Sequence, residues 1–490
     1  MTTPPHSIST LTTRCAGVLL HPTSLPGGEG FGELGPEAFH FIDFLRAAGI
    51  GVWQVLPLGP THGDLSPYMS LSVHAGNPAL ISLQRLQEWG WLSSDDAHLE
   101  TRHHQLLAAH EGFERDASEQ DRQAYRDFVA AHESWLEDYA LYQALRERHH
   151  GSHWSEWPAP LRDREPKALK KARTESAATL EHIRFEQYVF FRQWLDIKRY
   201  ANDCGIQLFG DMPIFVAHDS AEVWANRELF DLDETGAART VAGVPPDYFS
   251  KTGQLWGNPH YRWERMAEDG YRWWIARLHT AQGLYDRVRI DHFRGFEAYW
   301  QIDGQAETAI DGCWVKGPGD DFFAAITQAL PHLPLVAEDL GIITPEVVAL
   351  RDRWGLPGMK ILQFAFDGGA DNHYLPHNHP HNAVVYTGTH DNDTTLGWRQ
   401  QLPQDTQAYI HEYLGTNEDM PWALIRTALA STARLAVIPM QDLLSLGSEA
   451  RMNTPGVPDG NWRWRFQWEQ VTPELAPRLA WLCRLYGRAG

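Results

Sequence analysis

The chain has 490 residues, with 42 Lys and Arg against 63 Asp and Glu, a formal net charge of −21. So acidic a surface repels nucleic acid and anionic membranes but leaves a neutral polyhydroxyl ligand unpenalised. The start, Met1 to Ala16, lacks the apolar core of a secretory leader, and no run of apolar residues is long enough to span a bilayer, so a cytoplasmic protein is expected.

Short β-rich apolar runs recur along the chain: Gly17–Ser24, Gly51–Pro60, Ile206–Val216, Arg287–Gly295, Pro334–Gly341, Gly358–Phe366, Ala383–Asp393 and Leu435–Leu444. Between several of them the period turns helical, as in Glu37–Ala48, where Phe41, Phe44 and Leu45 share a face, and in Glu346–Trp354. Strands alternating with helices imply a parallel sheet, and a count of eight favours closure. The predicted fold is an α/β (β/α)₈ TIM-type barrel, one catalytic domain over 1–490, with large helical and loop insertions.

The first insertion, 61–205, follows strand 2 and reads as mostly helical. Phe128, Trp135 and Tyr139 repeat at helical intervals within Tyr125–His149, and Glu181–Asn202 is a second helical stretch. Residues 151–177, with Lys167, Lys170, Lys171 and Arg173, read as a solvated loop. The second insertion, 217–286, is rich in Pro, Gly, Trp and Asp and reads as ordered loop after strand 3, forming part of a cleft. Trp256, Tyr261, Trp462 and Trp464 sit among polar loop residues, where flat apolar faces suit sugar rings. Cys15, Cys204, Cys313 and Cys483 are scattered without a CxxC pair, so free thiols in a reducing compartment are expected.

Polar clusters close four of the runs: Gly210–Pro213, Arg289–Gly295, Ala337–Gly341 and Thr389–Asp393. In a parallel barrel all four meet at one rim. Strand alternation turns Arg289 and Asp291 inward and Val288 and Ile290 outward; Glu338 shares its face with Val336. An inward Arg beside Asp291 should lower that carboxyl's pKa, while a neighbouring carboxyl near that anion should be raised. Two carboxyls held in different protonation states are what retaining chemistry at an acetal needs, one as nucleophile and one as acid. Asp391, beside His390, suits a third role, gripping the distorted sugar as positive charge develops. A lone acidic residue at a strand end is more often a helix cap; three such clusters on one rim favour an active site. A divalent-metal site built from these carboxylates with His292 and His390 is the alternative, although no HxH or HExxH spacing supports it.

At these clusters the sequence resembles the amylomaltases, also called 4-α-glucanotransferases or disproportionating enzymes, of the α-amylase superfamily. The likeness runs from His21-Pro-Thr-Ser-Leu-Pro26 to Asn461-Trp-Arg-Trp464. It is carried by Trp53–Leu58, Ser66-Pro-Tyr68, Gly210–Phe215, Gly243–Phe249, Gly253–Pro259, Arg289–Gly295, Ala337–Gly341 and Thr387–Asp393. The resemblance implies that Asp291 is the nucleophile, Glu338 the general acid/base and Asp391 the transition-state stabiliser. It implies that Tyr68, Asp211, Asp247, Trp256, Arg289, His292 and His390 contact substrate, and that no cofactor or metal is needed. The implied partners are α-1,4-glucans and maltooligosaccharides, with glucose or a maltooligosaccharide as acceptor, no nucleic acid and no membrane. An α-glucan hydrolase and a non-catalytic glucan-binding protein are the competing readings. The resemblance decides for transfer; a cover formed by Val241–Tyr261 would help by excluding water.

Overall fold

The computed structural model describes residues 11–28, 30–246 and 250–489. In chain order β1 (Cys15–Leu19), β2 (Val52–Gln54) and β3 (Gln207–Pro213) precede a hairpin of β4 (Thr240–Val244) and β5 (Gln254–Pro259). Next come β6 (Arg287–Asp291), β7 (Ala298–Asp303) and β8 (Gly312–Lys316). The remaining strands are β9 (Leu335–Ala337), β10 (Gly358–Ile361), β11 (Ala383–Tyr386) and β12 (Leu435–Pro439). Eight of them form one sheet in the order β10-β11-β12-β1-β2-β3-β6-β9, every pairing parallel. The Ala337 N–H donates to Pro357 O at 2.8 Å, joining the end of β9 to the residue before β10 and drawing the sheet into a barrel.

All eight predicted strands are present, but most stop well before the predicted run ends, because the polar tails turn away as rim loops. Alternation sets the packing. Val52, Phe209, Val336, Met359, Val384 and Val437 fill an inner cluster. Their neighbours Trp53, Leu208, Val288, Ile290, Val385 and Ile438 belong to the outer core, shared with the helices. Helices Pro36–Ala47 and Pro345–Arg353 lie where the 3.6-residue period predicts them.

Residues 61–205 carry two long helices, Glu119–Arg148 and Ala177–Asp203, the first begun by a Ser118 hydroxyl that accepts the Asp121 N–H at 3.1 Å. Two predicted loops are corrected. Residues 151–177 contain the helices Ala159–Arg162 and Pro166–Glu175; Leu169 and Ala172, three apart, bury one face while Lys167, Lys170 and Lys171 stay in solvent. That face is too narrow to stand out from the charges. Residues 217–286 hold the helix Arg272–Leu284 and two strands of an antiparallel sheet ordered β5-β4-β7-β8. Its strands are short, broken by Gly and completed from beyond β6, so no local pattern announces them. Among the described residues no helix is long and apolar enough to cross a membrane, and the four cysteines are unpaired.

Candidate active site

Register builds the centre of the rim. Asp211 on β3 lies directly across from Arg289 on β6, and Pro213 across from Asp291. Arg289 therefore reaches Asp211 at 2.6 Å and Asp291 at 2.7 Å, one guanidinium nitrogen to each carboxylate, while its Nε points at the Met359 sulfur, 3.4 Å away. Gly210 has room for no side chain, since a Cβ there would collide with the Tyr285 ring. The Asp211 side chain is 0% exposed and its Oδ2 also accepts the Tyr68 hydroxyl at 2.8 Å. Asp211 thus sits behind Arg289 and Tyr68, fixing both, rather than at an open surface.

After Asp291 the backbone turns through a left-handed residue, His292, at φ 54° and ψ 48°. This aims the His292 N–H at Glu338, which accepts it on Oε2 at 2.7 Å and takes the Leu340 N–H on Oε1 at 2.8 Å. Glu338 follows β9 directly, and its own N–H donates to Ile290 O at 3.0 Å. Burial and the nearby Asp291 push the Glu338 carboxyl up to about 8, against Arg289 and the two backbone donors. For Asp291 the expected depression is overturned. Burial raises it, Arg289 opposes, and the Asp211 and Asp391 anions add to the rise. Asp291 has an ion pair with Arg289, whereas Glu338 has none among the described residues, and this difference favours the proton on Glu338.

Asp391 lies in the loop after β11. The Asn453 amide donates to its Oδ1 at 2.6 Å, and His390 Nε2 lies 3.3 Å from Oδ2. Burial alone would raise this carboxyl, but His390, Asn453 and Arg289 outweigh it and hold it well below the ordinary range. Arg451 anchors the Asp391 carbonyl at 2.5 Å.

Tyr68 comes from the first insertion, with its ring stacked on His390 at 5.2 Å and Trp462 beside both. His292 is buried, which lowers its imidazole to about 3; it is neutral, and its Nε2 has no hydrogen-bond partner among the described residues. Trp256 on β5 meets it edge-on at 4.8 Å. Asp247 lies outside the described residues. Tyr261 is a packing residue, 3% exposed, with its hydroxyl on Ile214 O at 2.7 Å. The paired acids divide their work. Asp339, next to Glu338, takes the Met359 N–H and the Arg351 guanidinium, and Asp393 bonds Ser448 and Gln401, so both serve structure.

Sequence reasoning missed Asn453, Arg451 and His21. His21 follows β1 and lines a cavity beside His390, lowered to about 3 by burial and then by His390. Its position just past a strand end was a usable signal. Asn453 had none, standing 62 residues from its partner in a loop of ordinary composition. Among the described residues, one group of three His, Cys, Asp or Glu side chains is close enough to hold a metal; it lies in the helical insertion and includes neither His292 nor His390.

A parallel barrel whose rim holds one protonated carboxyl among anions defines a class, the enzymes that work on glycosidic bonds by acid and nucleophile together. The 4-alpha-glucanotransferase family matches residues 20–472. The chain belongs to that family, and its activity is 4-α-glucan transfer. It is 52% identical to the 4-alpha-glucanotransferase of Thermus thermophilus over 487 residues, 95% of this chain and 97% of that protein. It is 49% identical to the Synechocystis 4-alpha-glucanotransferase, covering 97% and 98% of the two chains. An amylomaltase from Streptococcus agalactiae, solved in complex with acarbose, superposes with a TM-score of 0.94 at 39% identity, over 97% of this chain and all of that one.

Proposed function

We propose that Asp291 attacks the anomeric carbon of an α-1,4-glucan while Glu338 protonates the departing glycosidic oxygen, leaving a covalent glycosyl-enzyme. Glu338, now an anion, then takes the proton of an incoming sugar 4-hydroxyl as that oxygen displaces Asp291, so two inversions give retention. The single observation that supports this assignment is the bond from the His292 N–H to Glu338, which ties the raised carboxyl to the residue next to Asp291. Asp391, anionic and oriented by Asn453, balances the positive charge that develops on the sugar ring.

Tyr68, His390, Arg289 and His292 would frame the reacting glucose, with the unpartnered His292 Nε2 offered to a sugar hydroxyl. Trp256 and the hairpin of 217–286 would line the cleft and hold the acceptor, and the resemblance adds Asp247 to the substrate contacts. Asp211 would act through Arg289 and Tyr68. Donors and acceptors are maltooligosaccharides, with glucose as the smallest acceptor, and the four unpaired cysteines fit a reducing cytoplasm. An activated maltosyl fluoride tests the roles. Glu338→Gln should accumulate a covalent adduct whose mass maps to the peptide holding Asp291; an adduct elsewhere, or none, would refute the assignment. Pure maltotriose should give glucose plus longer oligomers.

A further inference from the structure

We propose a zinc site in the helical insertion, formed by His103, His182 and Glu186, that clamps two helices together and takes no part in glucan transfer. His182 and Glu186 are four apart on the helix Ala177–Asp203, so they project from one face. His103 stands in the first turn of the helix Arg102–Asp116, which packs across that face. One ligand atom from each of the three lies within 4.8 Å of the others. His182 Nε2 and Glu186 Oε1 are already 3.1 Å apart, against an edge of about 3.3 Å in a tetrahedron built on zinc bonds of about 2.0–2.1 Å.

The second observation is independent of that spacing. His182 is only 3% exposed, yet apart from the Nε2 contact with Glu186 its ring has no polar partner among the described residues, and Nδ1 has none at all there. A buried imidazole left so is costly, and it faces the exposed His103 ring at 5.6 Å and 86°. His103 is free to swing inward and supply the remaining contraction. Two imidazoles with one carboxylate suit zinc, whereas magnesium and calcium favour all-oxygen shells. The His110 ring lies 5.6 Å from that of His182, and Glu114, 3.9 Å from His110, adds negative charge that favours a cation.

Full-length protein stripped with chelator and dialysed should bind one Zn²⁺ per chain by calorimetry and melt at a higher temperature with zinc but not with magnesium. His103→Gln, at an exposed position, and Glu186→Gln should each weaken zinc binding at least about tenfold while far-UV circular dichroism stays unchanged. Maltotriose disproportionation should be the same with and without zinc. The absence of stoichiometric binding, or a His103→Gln/Glu186→Gln double variant that binds zinc as the parent does, would overturn the proposal.

Discussion

Arg289 at the barrel rim and Arg184 in the helical insertion make the same construction. Each guanidinium holds two carboxylates, Asp211 and Asp291 at 2.6 and 2.7 Å for the first, Glu137 and Glu181 at 2.6 and 2.9 Å for the second. The surroundings differ. The Arg289 side chain is 5% exposed, Asp211 0% and Asp291, which opens to the cleft, 31%, whereas Arg184, Glu137 and Glu181 are 17%, 28% and 42% exposed. Solvent dissipates the field of the outer clamp, while at the rim further carboxyls share an enclosed space. Glu338 then retains a proton and Asp291 is raised despite its arginine. Ion-pair length does not separate a structural clamp from a chemical one; enclosure and the company of additional acids do.

If that contrast holds, the rim variants fall furthest. Asp291→Ala and Glu338→Ala should each lower kcat for maltotriose disproportionation by at least about 10⁴-fold with the fold intact by circular dichroism. Near-normal transfer by either would erase the distinction between the two clamps. Asn453→Ala frees the Asp391 carboxylate from its donor and should cost about 10–100-fold in kcat with a small change in KM. Tyr68→Phe removes the bond to Asp211 but keeps the ring on His390, and should reduce kcat/KM about tenfold.

The pH profile sharpens the same point. In the proposed mechanism Glu338 enters the reaction protonated, so kcat/KM should decline as pH rises through about 8. In the same mechanism Asp291 reacts as the anion, so the acid limb should follow its ionisation and lie above the ordinary aspartate range. An alkaline limb that persists unchanged in Glu338→Gln, measured on its residual rate, would assign it to another group. The smallest effect belongs to the outer clamp. Arg184→Ala should lower stability by about 1 kcal/mol in urea melts and leave kcat/KM within about twofold of the parent.

The eight barrel strands were legible because they are buried on both sides and read as continuous apolar runs. The catalytic candidates were legible because parallel strands deliver their polar tails to one rim. What escaped depends on distance along the chain. The sheet of β4, β5, β7 and β8 pairs segments on either side of β6, so its strands have no local partner to betray them. The Asn453–Asp391 bond exists only after the barrel closes. Glu338 beside Asp339, and Asp391 near Asp393, look equivalent in sequence; only their partners in the fold separate chemistry from scaffolding. The direction of the Asp291 shift was misjudged for a related reason. The pairing with Arg289 could be read from alternation, but the burial of the site, and after it the Asp211 and Asp391 anions, could not.

The left-handed residue between Asp291 and the acid has a mechanical meaning. Because the amide of His292 is bonded to Glu338, a movement of Asp291 toward the anomeric centre and a movement of the proton donor relative to the leaving oxygen share one peptide plane. Proline could not stand there, because its ring fixes φ at about −65° where this turn needs 54°; the amide that joins the two carboxyls cannot be removed without rebuilding the turn itself.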